Sequence, residues 1–356
     1  MIPSTKLALE IARKHGASTL PFGAIALAIF CAGCSRSSSD GAAVDAGGAQ
    51  GQKCLRAPPL ERKASYKVGF VPMFEPNNPW SALNISDMVE EAGKRQYTLV
   101  YDPLSKGDAA EQVSRMQALI DRKVDAIILR PMDATALAPT VVAAREACIP
   151  VFTVNRFVDP SLALPGKDYV TGIGADPVLQ GQVVADWLVK ATKGKAGIIE
   201  VEGMPGASST IGRKKGFDDE VSSQPAMRIL ASQPGNFDRT TGHNVAKQLL
   251  TQYPAATVIF THNDTMALGA LDAVRELKKV PGKDVIVVSV DGLKDVVQHI
   301  VDGTIAATAF NSPRFGAISF QTLEKSAEGV VPTPKIILKG PVIDKTNAAA
   351  MLSEAF

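Results

Sequence analysis

Short runs of β-forming residues alternate with segments of helical periodicity from Tyr66 almost to the end of this 356-residue chain. The first run is KVGFVPMF (67–74), and Pro79 then opens a helix that carries Leu83 and Met88 at helical spacing. Such alternation is typical of repeated βα units that build a parallel sheet. The sequence therefore predicts an α/β fold.

About ten strands can be identified in this way, which is the upper limit for a single open, twisted sheet. They are predicted at 67–74, 98–102, 125–130, 151–155, 169–175, 197–203, 228–233, 257–261, 284–291 and 304–311. Two parallel sheets, and hence two Rossmann-like lobes, are the better interpretation.

The start of the chain has the composition of an export signal. Basic residues precede LPFGAIALAIFCAGC (20–34), whose apolar part is too short to span a bilayer comfortably. The small residues before Cys34 resemble a bacterial lipoprotein box, although Cys31 stands where leucine is usual. We predict a signal peptide at 1–33 and lipidation of Cys34, with an uncleaved anchor as the alternative.

The segment after Cys34, SRSSSDGAAVDAGGAQGQ, contains almost nothing large enough to bury. It predicts a flexible tether over residues 34–65. Removing residues 1–33 takes away three of the 38 basic and one of the 36 acidic residues, which leaves 35 of each. A neutral mature protein argues against nucleic acid as a partner.

Two cysteines remain after cleavage and lipidation, Cys54 and Cys148. They could pair in an oxidising compartment, but Cys54 falls in the predicted tether and Cys148 has the setting of a small core residue. The sequence therefore favours no structural disulfide. Beyond CAGC (31–34), at the predicted cleavage and lipidation site, the chain has no CxxC motif, and it has no HExxH motif, so no metal site or cofactor is predicted. The histidines are widely scattered: His15, His243, His262 and His299.

Polar and aromatic residues follow the predicted strands with unusual regularity. Parallel sheets bind ligands beyond the carboxyl ends of their strands, where side chains enter a crevice. A turn needs only one or two capping residues, so the regularity favours a binding site. The candidates are Asn78, Trp80, Asn155, Arg156, Arg213, Phe237, Asn263, Asp291 and Asn311.

These residue types suit a sugar, because aromatic faces cover its C–H surfaces while Arg, Asp and Asn make paired hydrogen bonds to its hydroxyls. Trp80 could instead belong to a helix core, and the arginines could form surface ion pairs. Trp187 has the spacing of a buried helix face. Within HNDTM, we expect Asp264 to cap the following helix and His262 to pack at the edge of the crevice.

Seven motifs together resemble periplasmic sugar-binding proteins of the ribose-binding class (periplasmic binding protein type I), and among these the galactofuranose-binding members most. In order, they are NNPW (77–80), VNR (154–156), GASSTIGRKKGF (206–217), FDR (237–239), HNDTMALGAL (262–271), VDG (290–292) and VDGTIAAT (301–308).

The resemblance implies two lobes with parallel sheets, joined by a three-strand hinge that crosses near Ala175, Asn311 and Gly340. The lobes would comprise 66–174 plus 312–340 and 175–311 plus 341–356. It also implies a receptor that closes on a sugar and delivers it to the permease of an ABC importer. We expect it to be a monomer in the periplasm or at the cell surface, anchored through Cys34.

Carried over residue by residue, the resemblance makes Asn78 and Trp80 the first-loop contacts, Arg156 the arginine of an Asp-Arg pair and Arg213 the second-lobe arginine. Phe237 would be an aromatic wall. The remaining hydrogen-bonding positions would be Asn263, Asp291 and Asn311.

Two departures from the family pattern concern the ligand. Asn155 stands where aspartate is usual, and Ser81 stands where relatives carry a second aromatic residue or an arginine. The first departure makes the expected pocket more positive. We therefore expect a ligand with a different hydroxyl geometry, such as a furanose, or one with an acidic group, such as a sugar acid.

Three other functional classes are conceivable for such a fold. An enzyme is not expected, because the chain lacks GxSxG, GxxxxGK[ST] and GxGxxG motifs, and GIGADP (172–177) lacks the third glycine. A receptor for chemotaxis or for a sensor kinase stays open, since it would use the same closed surface. A sugar-responsive gene regulator is set aside, because no helix-turn-helix precedes the first strand and an export signal is present.

Overall fold

The computed structural model describes residues 53–73, 78–102 and 107–356. Within these residues the predicted α/β alternation is confirmed, and the strands form two six-stranded sheets. The predicted signal peptide, the lipidated Cys34 and the tether as far as Gln52 lie outside the described residues, as does Asn77.

The first lobe is built around one of these sheets, with helices on both faces. Its elements are β1 (Lys67–Val71), α1 (Pro79–Lys94), β2 (Thr98–Val100), α2 (Ala109–Asp121), β3 (Ala126–Leu129), α3 (Ala134–Glu146), β4 (Val151–Val154), β5 (Thr171–Gly174), α9 (Gly316–Ala327) and β11 (Lys335–Ile337). The strand order is β11-β5-β4-β3-β1-β2, and every pairing is parallel.

The second lobe repeats this plan. Its elements are α4 (Pro177–Thr192), β6 (Lys195–Glu202), α5 (Ser208–Ser222), β7 (Ala226–Pro234), α6 (Arg239–Gln252), β8 (Val258–Thr261), α7 (Asp264–Glu276), β9 (Ile286–Asp291), α8 (Lys294–Val301), β10 (Ala307–Phe310), β12 (Val342–Asp344) and α10 (Ala348–Met351). The order is β12-β10-β9-β8-β6-β7, and only the β10–β12 pairing is antiparallel.

The chain crosses between the sheets three times, after β5, after β10 and between β11 and β12. These crossings lie near Ala175, Asn311 and Gly340, the positions at which the resemblance implies a hinge. Strands β11 and β12 were not among the ten predicted ones. Each has three residues, which is too short for a periodic pattern to show in the sequence.

Each sheet buries both of its faces, as strand β3 illustrates. Ala126 and Ile128 pack into one hydrophobic cluster, and Ile127 and Leu129 pack into another on the opposite face. The second sheet is covered in the same way by two further clusters. Covered faces explain why the strands read as continuous apolar runs.

The expectation that Cys54 and Cys148 do not pair is wrong, because the structure joins them in a disulfide across 94 residues of sequence. Cys148 lies in an exposed turn after α3 with a φ of 59°, so it is not a small core residue.

Residues 53–65, predicted as the end of the tether, pack against the first lobe. Leu60 is 5% exposed, the Ala57 amide donates to the Lys167 carbonyl at 2.6 Å, and Lys63 pairs with Asp125 at 2.5 Å. The low-complexity composition ends before these residues, and a single buried leucine leaves no periodic signal.

Candidate functional site

All nine candidate residues line one cavity between the two lobes. The cavity lies beyond the carboxyl ends of the strands of both sheets, where a doubly wound α/β fold brings its loops together. Arg130 and Ser209 complete the lining. Residues far apart in sequence therefore meet in one place.

The first turn of α1 supplies one wall of the cavity. Asn78 is the N-cap, and its side chain accepts hydrogen bonds from the amides of Trp80 at 3.0 Å and Ser81 at 3.4 Å. This cap fixes the position of Trp80, which is 4% exposed. The Arg130 guanidinium carbon lies 4.2 Å from the centroid of the indole, so it covers one ring face.

Arg156 and Phe237 come from different lobes and contact each other in the wall of the cavity. The guanidinium carbon of Arg156 is 4.9 Å from the centroid of the Phe237 ring, and both residues are buried. Asn155 precedes Arg156 with a φ of 60°, and Phe237 has a φ of 61°. Residues other than glycine and asparagine rarely adopt this left-handed backbone conformation. The backbone strain therefore lies at Phe237, and strain of this kind concentrates at functional sites.

Glycine at position 203 allows Phe237 to take its place in the wall. A Cβ added there would lie 2.0 Å from Cζ of the Phe237 ring. Only a residue without a side chain lets the ring approach the backbone so closely.

The second lobe contributes a polar wall around Arg213. Its Nε donates to Oε1 of Gln180 at 3.0 Å, its Nη1 donates to the His262 carbonyl, and its Nη2 lies 3.6 Å from Oδ1 of Asp291. Asn311 donates to that same Asp291 oxygen at 3.0 Å. Trp80 Nε1 donates to the Asn311 carbonyl at 2.8 Å, so the hinge and the first-lobe wall are directly linked.

The prediction that Asp264 caps α7 is wrong, because Asn263 is the N-cap and accepts a hydrogen bond from the Met266 amide at 3.0 Å. Asp264 is buried beneath the cavity instead. It accepts hydrogen bonds from four donors: the Ser289 and Thr308 hydroxyls and the Gly292 and Leu293 amides. Burial raises the pKa of Asp264, although these hydrogen bonds oppose the shift. The carboxyl group thus holds the loop that directly follows Asp291.

His262 does not lie at the edge of the crevice as expected, because its side chain is fully buried behind it. Its Nε2 is 2.9 Å from Oε1 of Glu200, which is also fully buried. Burial alone would raise the pKa of Glu200, but hydrogen bonds to His262, Lys214 and Ser232 outweigh it and lower the pKa to about 2. This polar cluster supports the strand end beside Arg213.

The lobes touch each other beside the cavity. The Ala134 amide of the first lobe donates to the Gly206 carbonyl of the second at 3.0 Å. The Phe157 amide donates to the Ser208 hydroxyl at 2.9 Å. These contacts, together with the Arg156–Phe237 pair, show that the structure is in a closed arrangement.

The family model of the periplasmic binding protein domain matches residues 68–329. The chain belongs to this family. It is 33% identical over 269 residues to the galactofuranose-binding protein YtfQ of Escherichia coli strain K12, a match that covers 73% of this chain and 82% of the relative. It is 35% identical over 267 residues to the ribose import binding protein RbsB of Salmonella typhimurium, covering 75% and 85%.

Among solved structures, this periplasmic binding protein is similar to a component of the arabinose ABC transporter of Shewanella bound to L-arabinofuranose. The TM-score is 0.74 and the sequence identity 31%, with 81% of this chain and 95% of that chain covered. The two-lobe α/β fold expected from the sequence is therefore confirmed.

Two lining residues of this periplasmic binding protein, Arg130 and Ser209, were missed by the sequence analysis. Arg130 directly follows the apolar strand β3, which is the pattern that identified Arg156, so a signal was present. Ser209 lies in the first turn of α5 and carries no comparable signal.

In the part of the chain that the structure describes, no group of three or more His, Cys, Asp or Glu side chains is placed to hold a metal ion. None of the described helices is long and apolar enough to cross a membrane.

Proposed function

We propose that the protein is an extracytoplasmic binding protein that captures a sugar between its lobes and delivers it to an ABC importer. The observation that carries this proposal is the cavity between the lobes, which is lined by Trp80, Phe237, three buried arginines and hydrogen-bonding side chains from both lobes. The cavity combines apolar ring surface with planar donors, which is the chemistry that a small polyhydroxylated ring requires.

The relatives support a sugar as the ligand and favour a furanose ring. One is named for galactofuranose and another for ribose, and the similar solved structure holds L-arabinofuranose. Arg130 adds a third guanidinium to the two arginines expected from the sequence. Sugar acids therefore form a second ligand class to be tested beside neutral sugars.

Binding without chemistry is the proposed mechanism. A ligand that touches Arg156 and Phe237 together makes both contacts only when the lobes are closed. It therefore shifts the equilibrium between open and closed forms by its differential affinity for the closed form. An affinity near ~1 μM, or about 8 kcal/mol of binding free energy, would suit capture followed by release to a permease.

Calorimetric titration of the purified protein against pentoses, hexoses, furanose-forming sugars and uronates tests the proposal. We expect saturable binding of at least one sugar, with the sugar recovered unchanged. Absence of binding across the panel contradicts a sugar-binding role, and a chemically altered sugar indicates an enzyme.

Delivery to a permease is tested separately by measuring uptake of the bound sugar in cells with and without the gene. Lost uptake supports transport, whereas binding without any effect on uptake favours a receptor for chemotaxis or for a sensor kinase.

Labelling cells with a fatty-acid analogue, in parallel with a Cys34→Ala variant, tests the proposed lipid anchor.

A further inference from the structure

We propose that Arg130 determines which sugar the site accepts, by presenting its guanidinium to two adjacent oxygen atoms of the ligand. This inference rests on the proposed function of the cavity between the lobes.

The backbone of Arg130 is held rigidly at the end of β3. Its amide donates to the Val71 carbonyl at 3.0 Å, and its carbonyl accepts from Nε2 of the fully buried Gln112 at 2.8 Å. Gln112 also donates to the Pro72 carbonyl and accepts from the Met132 amide, each at 2.8 Å. The loops after β1 and β3 are thereby fixed to each other.

The side chain of Arg130 is equally constrained. Nη1 donates to the Ser81 hydroxyl at 2.7 Å, and the guanidinium carbon lies 4.2 Å from the Trp80 ring centroid. Arg130 is 4% exposed and Ser81 is 2% exposed. The guanidinium therefore covers one face of the indole, and both side chains line the cavity.

A fixed guanidinium recognises geometry as well as charge. Its parallel N–H groups match two oxygens at a set separation, which can be a pair of neighbouring hydroxyls or one carboxylate. A site built to hydrogen-bond a hydroxyl strongly disfavours the analogue that lacks it. A lysine keeps the positive charge but loses the planar fork, so Arg130→Lys separates the two contributions.

The test measures dissociation constants for wild type and Arg130→Lys by calorimetry. The probes are D-ribose, L-arabinose, D-galactose, their single-position deoxy analogues and D-galacturonate. We expect wild type to prefer a parent sugar over one of its deoxy analogues by about 10-fold or more. In Arg130→Lys we expect the affinity for the parent sugar to fall about 10-fold or more. The affinities for the parent sugar and for that deoxy analogue should then differ by no more than about 3-fold.

The galacturonate measurement identifies the source of the oxygen pair. If the two oxygens belong to a carboxylate, wild type binds galacturonate more tightly than galactose, and Arg130→Lys removes that difference. If it is a pair of hydroxyls, the deoxy series shows the effect. Either result supports the role of Arg130.

Two further variants keep the result interpretable. Ser81→Ala removes the hydroxyl that accepts the hydrogen bond from Nη1. We expect the same loss of preference in weaker form, about 3-fold, and this variant carries the test if Arg130→Lys does not fold. Arg122→Lys is the matched control, because Arg122 is exposed and pairs with Asp102 at 3.3 Å.

The proposal is overturned if Arg130→Lys leaves affinity unchanged, or if it weakens a parent sugar and its deoxy analogues by the same factor, since the residue would then serve packing alone. A wild-type protein that binds no sugar overturns it together with the proposed function. That outcome is visible before any variant is made, so the two failures are distinguishable.

Discussion

The guanidinium of Arg156 lies 4.9 Å from the ring of Phe237, and the two side chains come from opposite lobes. This contact exists only while the lobes are together. A ligand bound between them would make its strongest contacts in the same closed arrangement, which links affinity to closure.

Replacement of Arg156 by alanine removes the guanidinium that stacks on Phe237 and that supplies hydrogen-bond donors to the cavity. We expect affinity for the tightest-binding sugar to fall by about 10-fold to 100-fold, because hydrogen bonds to charged groups contribute roughly 1.5–3 kcal/mol. Calorimetry measures the loss, and thermal unfolding checks the fold. Arg228→Ala, at an exposed position of β7, is the control. Unchanged affinity in Arg156→Ala would remove this residue from the site.

The close approach of Phe237 to Gly203 gives a second prediction. In Gly203→Ala the added Cβ would lie 2.0 Å from the ring, so the ring must move and the aromatic wall must shift. We expect a loss of sugar affinity of about 10-fold, similar to other small misplacements in preorganised sites.

Gly93→Ala is the matched control for this change, because a Cβ at position 93 meets nothing within 4 Å. Gly93 lies inside helix α1, so alanine there is expected to stabilise the protein by about 0.5–1 kcal/mol and to leave binding unchanged. Equal affinities in the two alanine variants would show that Phe237 does not depend on Gly203.

The positions of the candidate residues were predictable because strand ends in a parallel α/β sheet meet at one edge. The rule that selected Arg156 applies equally to Arg130, which follows AIIL, but the arginine was assigned to the strand itself. Its role becomes apparent only from its contacts with Ser81 and Trp80, which depend on the packing of α1 against the sheet.

Other features could not be deduced from local sequence. Asn263 and Asp264 are both good helix caps, and only the burial of Asp264 under β9 and β10 decides between them. The Cys54–Cys148 disulfide depends on the docking of residues 53–65 onto the first lobe. That docking rests on tertiary contacts such as the burial of Leu60, for which no periodic pattern exists.

The lowered pKa of Glu200 predicts a specific loss of stability in acid. The folded-state pKa, about 2, lies below the ordinary glutamate value of 4.5. The ionised form is therefore stabilised by folding, and this stabilisation is present above pH ~4.5 and is lost as the pH falls toward ~2. A shift of this size corresponds to about 3 kcal/mol.

Chemical denaturation of wild type and Glu200→Gln between pH 7 and pH 2 measures this effect. We expect Glu200→Gln to be less stable than wild type at pH 7 and to lose less stability on acidification. Glu328→Gln, at an exposed glutamate, controls for the charge change and should follow wild type. Parallel pH profiles for wild type and Glu200→Gln would contradict the assignment.

The Cys54–Cys148 disulfide is expected to stabilise the protein without affecting binding. It closes a loop of 94 residues, and cross-links of this kind contribute roughly 2–4 kcal/mol, largely by restricting the unfolded chain. Cys148 precedes β4, at the end of the first sheet opposite the cavity, so the bond touches none of the candidate binding residues.

A Cys54→Ser/Cys148→Ser variant should therefore unfold at lower denaturant concentration and bind sugar with wild-type affinity. A reducing agent should reproduce that loss of stability in wild type and leave the double variant unchanged. A weakened sugar affinity in the variant would instead show that the docked segment 53–65 influences the cavity through the first lobe.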